Sequence, residues 1–440
     1  MQSKPSTKEM GLATFVVTSL VGTAFEWYDF FISSSAAALA WPFVFFPKAA
    51  FGTAILLSFT AFGVGIASRP FGAIIFGHIG DRSGRKSALL WTLITMGLAT
   101  FLISILPGYL TFGVFAGVLL SILRFVQGLG LGGEWGDVNT WIVEHKSQSS
   151  KRTLWTVFSQ WGVPIGLISS SALFTYILNT TSHSFFLSYG WRIPFWIGTA
   201  LLLIGAFMRY KALDSPLFET AVTQKRIITV PIIRLFRDQW KRVLLGSLVV
   251  TSDFVIFYIA LFAEVIIYST GLSKSFATET ATLMGVGLLF TYPAFSYLSD
   301  KIGRNKTLLV GTLWGAVWAF PYFELVKTGN AALVILAQML TIPIVSGSIF
   351  AVVSAYFPEL FPVEYRATGA GMSYQLAGVL GGAVPPIIAS YLIGIYGVVG
   401  SWVSLAIMVE LYAVISLVAL LPLFRVRISP TKPIGLEPSG

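Results

Sequence analysis

The sequence has 440 residues, of which 55% are apolar and only 11% are charged. An ordinary soluble domain carries roughly 25% charged residues, so this composition excludes a water-soluble globular protein. The net charge of +10 could suit a nucleic-acid partner, but the positions of the charges indicate membrane topology, and we expect no nucleic acid as a partner. The chain has no cysteine, which excludes disulfides, thiolate metal sites and cysteine nucleophiles.

About twelve apolar runs follow one another along the chain, each near the ~20 residues that a helix needs to cross a ~30 Å hydrocarbon core. The sequence therefore predicts an all-α membrane protein with twelve transmembrane helices. We number these spans 1 to 12 in chain order, at residues 12–41, 51–77, 87–106, 112–143, 154–178, 193–210, 241–269, 277–298, 307–326, 331–357, 367–394 and 399–424.

A charged turn between spans 2 and 3 is repeated between spans 8 and 9. Residues 77–86 read G-H-I-G-D-R-S-G-R-K, and residues 300–304 read D-K-I-G-R, 219 positions after the matching residues of the first copy. A turn repeated at half the chain length predicts two similar six-helix halves. We expect the first half at 1–210, a linker at 211–240, the second half at 241–427 and a tail at 428–440.

The Lys and Arg residues lie mostly in the loops on one side of the predicted spans. With the N-terminus inside, 23 of the 29 fall on the inner side, 4 on the outer side, and Arg69 and Arg124 within spans. This bias predicts a multi-pass protein of the plasma membrane, in contact with its lipid bilayer, with both termini in the cytoplasm.

Several further strings stand inside the spans, and together with the repeated turn they cover nearly the whole chain. They are E-W-Y-D-F at 26–30, R-P-F-G at 69–72, R-F-V-Q-G at 124–128, G-G-E-W-G at 132–136, G-W-R-I-P-F at 190–195 and P-E-L-F-P at 358–362. The chain resembles the metabolite:H+ symporter branch of the major facilitator superfamily. That branch includes transporters of proline/betaine, shikimate, 2-oxoglutarate and citrate.

The resemblance implies transport of a small polar metabolite with protons by alternating access. The expected partners are the small-molecule substrate and protons. We expect the protein to work as a monomer without cofactor or metal, driven by the proton gradient.

The resemblance also implies a cytoplasmic gate of ion pairs at the charged turns. Its candidate residues are Gly77, Asp81, Arg82, Gly84, Arg85, Lys86, Glu144, Arg152, Asp300, Gly303, Arg304, Glu359 and Arg366. Ion pairs across helix ends would hold the inner side shut. The alternative is that these residues are ordinary anchors at the inner membrane surface.

Charges near mid-membrane are expensive and indicate function. Glu26 and Asp29 share one face of span 1, and Arg124 lies at similar depth in span 4. We expect Asp29 and Arg124 to pair across the cavity and to be separated when the acid is protonated, with Glu26 as carrier or co-carrier. Sugar porters, a neighbouring branch, are similar at Asp29 and Arg124. The alternative is a static pair that fixes helix packing.

The fold that the resemblance implies places substrate between the halves near mid-membrane. Candidate substrate ligands are the polar residues Tyr28, Gln127, Gln160, Asp253, Tyr258, Tyr374 and Gln375. Each could instead form hydrogen bonds between helices. We expect Arg124 to be the only cation at mid-depth and to receive a carboxylate once Asp29 is protonated. An organic acid or a zwitterion is the favoured substrate, and Glu134, Asp137 and Glu264 are left without a role.

Other functions remain open at this point. An uncoupled facilitator of a sugar or another small solute would have the same fold. A membrane sensor would be expected to carry a sizeable soluble domain, and the longest loop has about thirty residues. The chain shows no nucleophile–base pair or metal cluster, so we do not predict an enzyme.

Overall fold

The computed structural model describes residues 12–83, 85–132, 135, 139–140, 142–143, 151–212, 232–362 and 365–424. For residues 12–19, 77–78, 80–83, 85–89, 208–212, 233 and 399 it describes the backbone alone.

The described part of the first half is helical, and most of its helices match predicted spans 1 to 6. They are Leu12–Leu39, Trp41–Phe45, Phe51–Ala67, Arg69–Ser83, Arg85–Ile105, Tyr109–Phe112, Phe115–Leu131, Arg152–Gln160, Gly162–Thr180, His183–Ser188, the 3₁₀ turn Gly190–Arg192, and Ile193–Ala212.

The second half repeats this pattern over spans 7 to 12. Its helices are Ile232–Val249, Thr251–Ser269, Lys274–Ile302, Arg304–Val326, Ala331–Ser348, Phe350–Leu360, Arg366–Gly378, the π-helical segment Val379–Ala383, Val384–Gly400 and Trp402–Leu423. The helix of span 7 already begins at Ile232, inside the predicted linker. Residues 213–231 of that linker lie outside the described part of the chain, so its position stays a prediction.

Nine helical segments within the described residues are long and apolar enough to cross a membrane. Helix Leu12–Leu39 and the shorter apolar stretches Leu90–Ile105 and Phe115–Leu131 occupy the three remaining predicted spans. The predicted all-α fold of twelve spans in two halves is confirmed.

Several spans are interrupted near the middle of the bundle. Span 2 breaks at Ser68, just before Pro70, which has no N–H to donate to the helix. Span 7 breaks at Val250, span 10 at Ile349, and span 11 changes to π-helix at 379–383. Breaks within a membrane survive only where other groups satisfy the freed backbone, so they mark the part of the fold that is built around a site.

The break in span 7 shows how the backbone groups are satisfied. The Ser416 hydroxyl of span 12 donates to the Leu248 carbonyl at 2.9 Å and accepts the Ser252 N–H at 3.0 Å. These two hydrogen bonds satisfy the backbone groups at the break. The next helix therefore begins at Thr251 and has Asp253 in its first turn.

Glycine allows close packing of spans 2 and 4. A Cβ added at Gly128 would overlap the Gly65 carbonyl, so only hydrogen fits between the two backbones. Small residues at helix contacts serve in this way where lipid provides no hydrophobic force between helices. The close approach brings Arg124, one turn before Gly128, against span 2.

The two halves touch at both ends of the bundle. At the end that carries the charged turns, Ser354 donates to the Thr156 hydroxyl at 2.7 Å and Gln375 to the Gly132 carbonyl at 2.8 Å. At the opposite end, Thr175 and Thr278 hydrogen-bond at 2.6 Å. The described residues therefore enclose the middle of the bundle from both ends.

The opposite end also holds a glycine contact between spans 2 and 11, which yields a prediction. A Cβ at Gly52 would lie 2.8 Å from the Gly394 Cα, so Gly52→Leu should push the halves apart there. Because the chain has no cysteine, Ser35→Cys, buried in span 1, can report opening by maleimide labelling; it is present in every variant, so the loss of the Ser35 bond to Glu264 is common to all of them. We expect labelling about tenfold faster with Gly52→Leu. A Cβ at Gly394 meets open space, so Gly394→Ala is the control; equal rates for both variants would contradict the prediction.

Candidate functional site

A closed ring of hydrogen bonds surrounds the Asp29 carboxylate in the first half. Thr100 of span 3 donates to Oδ1 at 2.6 Å, and the Gln127 amide donates to Oδ2 at 2.6 Å. The same amide nitrogen donates to the Thr100 hydroxyl at 2.8 Å. All three side chains are fully buried. A carboxylate buried this deeply depends on such donors, because water cannot reach it.

Gln127 joins this ring to Arg124. The Arg124 guanidinium donates to Gln127 Oε1 and, at 3.3 Å, to the Phe62 carbonyl. It also stands over the Phe62 ring, 5.1 Å from the centroid. The expected direct ion pair between Asp29 and Arg124 is therefore wrong for this conformation. The physical reason is that span 4 places Gln127 one turn from Arg124 on the same face, where it fills the gap and relays the interaction.

This arrangement differs from the role of substrate ligand that we expected for Gln127. Its amide nitrogen and its carbonyl oxygen are both engaged by neighbouring side chains. In this conformation Gln127 links the acid to the base and has no amide hydrogen left for a substrate.

Arg69 is a second buried cation near the centre. Its side chain is 5% exposed, and its guanidinium lies 5.1 Å from the centroid of the Phe30 ring, beside Asp29 in span 1. Its Nε has no hydrogen-bond partner among the described residues. The expectation that Arg124 would be the only cation at mid-depth is thus wrong. Arg69 is the first residue of helix Arg69–Ser83 and faces span 1, where the Phe30 ring lies.

A small cavity beside these arginines is lined mainly by aromatic rings. Asp253 of span 7 is 2% exposed and lies in this cavity with Trp27, Phe257, Tyr292 and Phe350. Its Oδ1 has no hydrogen-bond partner in the described part of the chain. The rings come from both halves, so this cavity lies at their interface.

Tyr258 lies between the cavity and the arginines. It lines the Asp253 cavity, and its ring contacts Phe30 edge-on at 5.5 Å between centroids. A Cβ at Gly382, in the π-helical segment, would lie 2.7 Å from the Tyr258 ring, so this glycine makes room for it. The Tyr258 hydroxyl is buried without a hydrogen-bond partner among the described residues.

The other predicted substrate ligands are more dispersed. Tyr28 donates to the Pro194 carbonyl at 3.1 Å, a contact between helices of the first half. Gln160 donates to Asn139 Oδ1 at 3.2 Å, and Gln375 binds the Gly132 carbonyl across the halves. Tyr374 stacks on Trp135 with 4.0 Å between ring centroids. The structure thus brings Asp253 and Tyr258 together but places Tyr28 elsewhere.

Two further acids lie outside the Asp29 ring. Glu26 is half-buried on span 1, within electrostatic range of Tyr374. Glu264 of span 7 accepts a hydrogen bond from Ser35 of span 1 at 3.1 Å, which joins the halves near the end opposite the charged turns.

The second charged turn does form an ion-pair cluster. Arg304 contacts Asp300 at 2.9 Å and Glu359 at 3.1 Å. Arg152 of the first half reaches the same Glu359 at 3.3 Å. Glu359 is 4% exposed, so its two cation contacts are only weakly screened by solvent. The turn itself depends on Gly303, whose φ of +97° favours glycine.

Asp300 adds a contact that the sequence did not predict. It accepts the Thr153 and Leu154 N–H groups at 3.2 and 3.1 Å, and so caps the helix that begins at Arg152 in the other half. A carboxylate is favourable at a helix N-terminus because the first N–H groups have no partners within the helix. Arg366 donates to the Pro358 carbonyl at 3.0 Å.

The remaining predicted gate residues lie outside the described residues or side chains. They are Gly77, Asp81, Arg82, Gly84, Arg85, Lys86 and Glu144. Their role stays a prediction, and the same holds for the unassigned Glu134 and Asp137.

Sequence reasoning missed Thr100 and the buried position of Arg69 beside Phe30. Thr100 is one hydroxyl in an apolar span, which carries no signal by itself. For Arg69 a signal was available: it is one of two Lys or Arg residues that lie inside the predicted spans and away from their end residues.

Two six-helix halves around a buried polar centre define the class of this protein as a membrane transporter. The first half matches the family described as Sugar (and other) transporter over residues 14–229, and the second half matches the Major Facilitator Superfamily over residues 243–439. The chain belongs to the major facilitator superfamily, as predicted.

Relatives with known names narrow the comparison to metabolite transporters. The chain is 36% identical to the inner membrane metabolite transport protein YhjE of Escherichia coli (strain K12), over 92% of each chain. It is 35% identical to the shikimate transporter of the same organism, over 88% of this chain and 89% of that one. The crystal structure of a D-xylose-proton symporter shares the fold, with a TM-score of 0.73, 18% identity and coverage of 93% of this chain and 96% of that chain.

The ion-pair cluster yields a prediction about closure at the charged-turn end. Glu359→Gln removes the charge that holds Arg152 of the other half and should favour opening there. Charge-assisted contacts of this kind contribute about 1.5–3 kcal/mol, so labelling of a buried Ser354→Cys should become roughly tenfold to a hundredfold faster. Glu324→Gln, which breaks the exposed pair with Lys327, is the control. No change with Glu359→Gln would show that the cluster does not close the halves.

Proposed function

We propose that the protein is a proton-coupled symporter of a small polar metabolite that carries a carboxylate, either an organic acid or a zwitterion. The observation that carries this proposal is the buried link from Asp29 through Gln127 to Arg124. It connects a group that can gain a proton to a cation at the centre of the bundle. The similarity to a shikimate transporter supports a carboxylate substrate.

Protonation of Asp29 would change the hydrogen bonds around it. The ionised carboxylate only accepts, and it receives one bond from Thr100 and one from Gln127. A protonated carboxyl group must donate one bond, and the Gln127 amide nitrogen cannot accept it. A proton on Oδ2 therefore breaks the contact with Gln127. Without this hydrogen bond the Gln127 amide is less firmly oriented, and the hydrogen bond that it accepts from Arg124 weakens. A proton thereby alters contacts between spans 1, 3 and 4, which is the kind of local change that shifts a two-state equilibrium.

Alternating access accounts for the contacts at the two ends. Closure at the charged-turn end uses ion pairs and a helix cap, whereas closure at the other end uses hydrogen bonds and a glycine contact. Each closure can open while the other holds, because different residues form them.

We propose that Glu26, whose side chain is half-buried on span 1, assists Asp29 in proton transfer. We also propose that the protein works as a monomer, so that a single chain forms the complete transport path.

The orientation proposed is the one that the charge bias predicts. The cluster end would face the cytoplasm, with both termini inside the plasma membrane of the cell. The proton gradient would supply the driving force without a cofactor.

The test is transport in proteoliposomes that contain a pH dye. Wild type should acidify the lumen when a carboxylate substrate is added outside. Asp29→Asn should abolish acidification and net accumulation but retain exchange of labelled for unlabelled substrate. The reason is that a neutral side chain resembles the protonated acid, and exchange needs no proton release. Asp238→Asn, at an exposed aspartate bound by Tyr365, is the control that should transport normally.

An uncoupled facilitator gives a different result. Net uptake without acidification, unchanged in Asp29→Asn, would show that the Asp29 ring is only structural. Loss of both net uptake and exchange in a well-folded Asp29→Asn protein would assign Asp29 to substrate binding instead of proton coupling.

A further inference from the structure

Arg69 is a buried guanidinium that forms no salt bridge with an acid among the described residues, and Asp29 acts on its charge only at longer range. Its Nε has no hydrogen-bond partner in the described part of the chain, and its guanidinium lies over the face of the Phe30 ring. The Nε of Arg124 is also unpartnered among the described residues, but its two terminal nitrogens donate to Gln127 and to the Phe62 carbonyl. A buried cation without a hydrogen-bonded anion is costly, so an anion that binds beside Arg69 during the working cycle would stabilise it.

The Tyr258 hydroxyl faces the same region, close enough to interact with Arg69, and no group among the described residues makes a well-aligned hydrogen bond to it. The Tyr258 ring and the Arg69 guanidinium both contact Phe30, which places them on neighbouring sides of one ring. A guanidinium offers two parallel N–H groups that match a carboxylate, and a tyrosine hydroxyl can add a third donor. Arg69 comes from the first half and Tyr258 from the second, so an anion bound here would contact both.

The adjoining cavity has the opposite character. It places the Asp253 carboxylate, whose Oδ1 is unpartnered in the described residues, among the rings of Trp27, Phe257, Tyr292 and Phe350. Faces of aromatic rings attract cations, and a carboxylate among them adds a full charge. This is the chemistry that recognises a substituted ammonium group. Tyr258 lines this cavity too, so the two regions are contiguous.

We propose that Arg69 and Tyr258 bind the carboxylate of the substrate, and that Asp253 with its surrounding rings binds a positively charged nitrogen on the same molecule. The substrate class is then a small zwitterion, such as an amino acid or a betaine. This inference rests on the proposed transport function and deepens it. In this proposal the substrate carboxylate binds Arg69 instead of Arg124. Arg124 then serves only the hydrogen-bonded ring around Asp29, which responds to the proton.

The experiment compares each zwitterion with a carbon isostere that lacks only the positive charge. Glycine betaine is paired with 3,3-dimethylbutanoate, and proline is paired with cyclopentanecarboxylate. Choline keeps the quaternary nitrogen of betaine without its carboxylate. Affinities are measured by isothermal titration calorimetry on the purified full chain in lipid nanodiscs. No proton gradient is present, so the result is independent of whether transport is proton-coupled.

Wild type should bind at least one of the two zwitterions about tenfold or more tightly than its isostere, because only the zwitterion uses both regions. Asp253→Asn should bring the ratio close to one and leave the isostere bound no more weakly. Arg69→Gln should weaken both members of the pair by about tenfold or more, and Arg69→Lys should recover part of this loss. Tyr258→Phe should weaken both by a few-fold.

Folding is checked by the thermal unfolding temperature of each variant. Tyr322→Phe is the matched control, since Tyr322 is another buried tyrosine of the second half, bound to Gln338 away from the proposed site. It should leave all affinities unchanged.

The assignment is overturned if isosteres bind as tightly as the zwitterions, or if neither zwitterion binds at millimolar concentration. It is also overturned if Arg69→Lys and Tyr258→Phe, both folded, bind like wild type. Failure of proton coupling in proteoliposomes would contradict the proposed function but would leave these affinities, and the zwitterion assignment, intact.

Discussion

The structure depends on how charges are compensated where water is absent. A carboxylate and two guanidinium groups are buried in the first half, and the charge of each is compensated by a different set of contacts. Asp29 is held by two donors, Arg124 by an amide and a backbone carbonyl, and Arg69 by the face of Phe30 with Asp29 and Tyr258 nearby. Because an uncompensated buried charge costs several kcal/mol, the bound anion that we propose would add to the stability of Arg69 more than to that of the other two groups.

Broken helices make this arrangement possible. A continuous helix would place side chains at fixed intervals and leave no backbone groups to satisfy. Arg69 and Asp253 each lie in the first turn of the helix that follows an interruption, in spans 2 and 7, and the π-helical segment of span 11 makes room for the Tyr258 ring at Gly382. Neighbouring hydroxyls, such as that of Ser416, satisfy the freed backbone groups. Glycines at 65, 128 and 382 then bring helices or rings close enough to exclude water.

The centre and the two ends of the bundle are connected through the same helices. Span 7 carries Asp253 and Tyr258 at the centre and Glu264 near one end, where it accepts a bond from the other half. Span 8 carries Asp300, which caps a helix of the other half at the charged-turn end. A ligand that draws the halves together at the centre would therefore change the geometry of both closures. This coupling is what alternating access requires of a single rigid-body movement.

The sequence by itself determined the class of this protein. Apolar runs of membrane-spanning length, a charged turn repeated at half the chain, and motifs such as E-W-Y-D-F were sufficient to predict twelve helices in two halves and the superfamily, because these are local patterns or simple repeats. It also indicated Asp29, Arg124 and the Arg152–Glu359–Arg304 cluster, since charges in apolar segments are conspicuous. Only the tertiary structure decided how these residues meet. That Gln127 separates Asp29 from Arg124, that Thr100 completes the ring, and that Arg69 lies near Tyr258 follow from helix breaks and the packing of distant spans. Such contacts have no local signature, because they depend on which faces of separate helices are brought together.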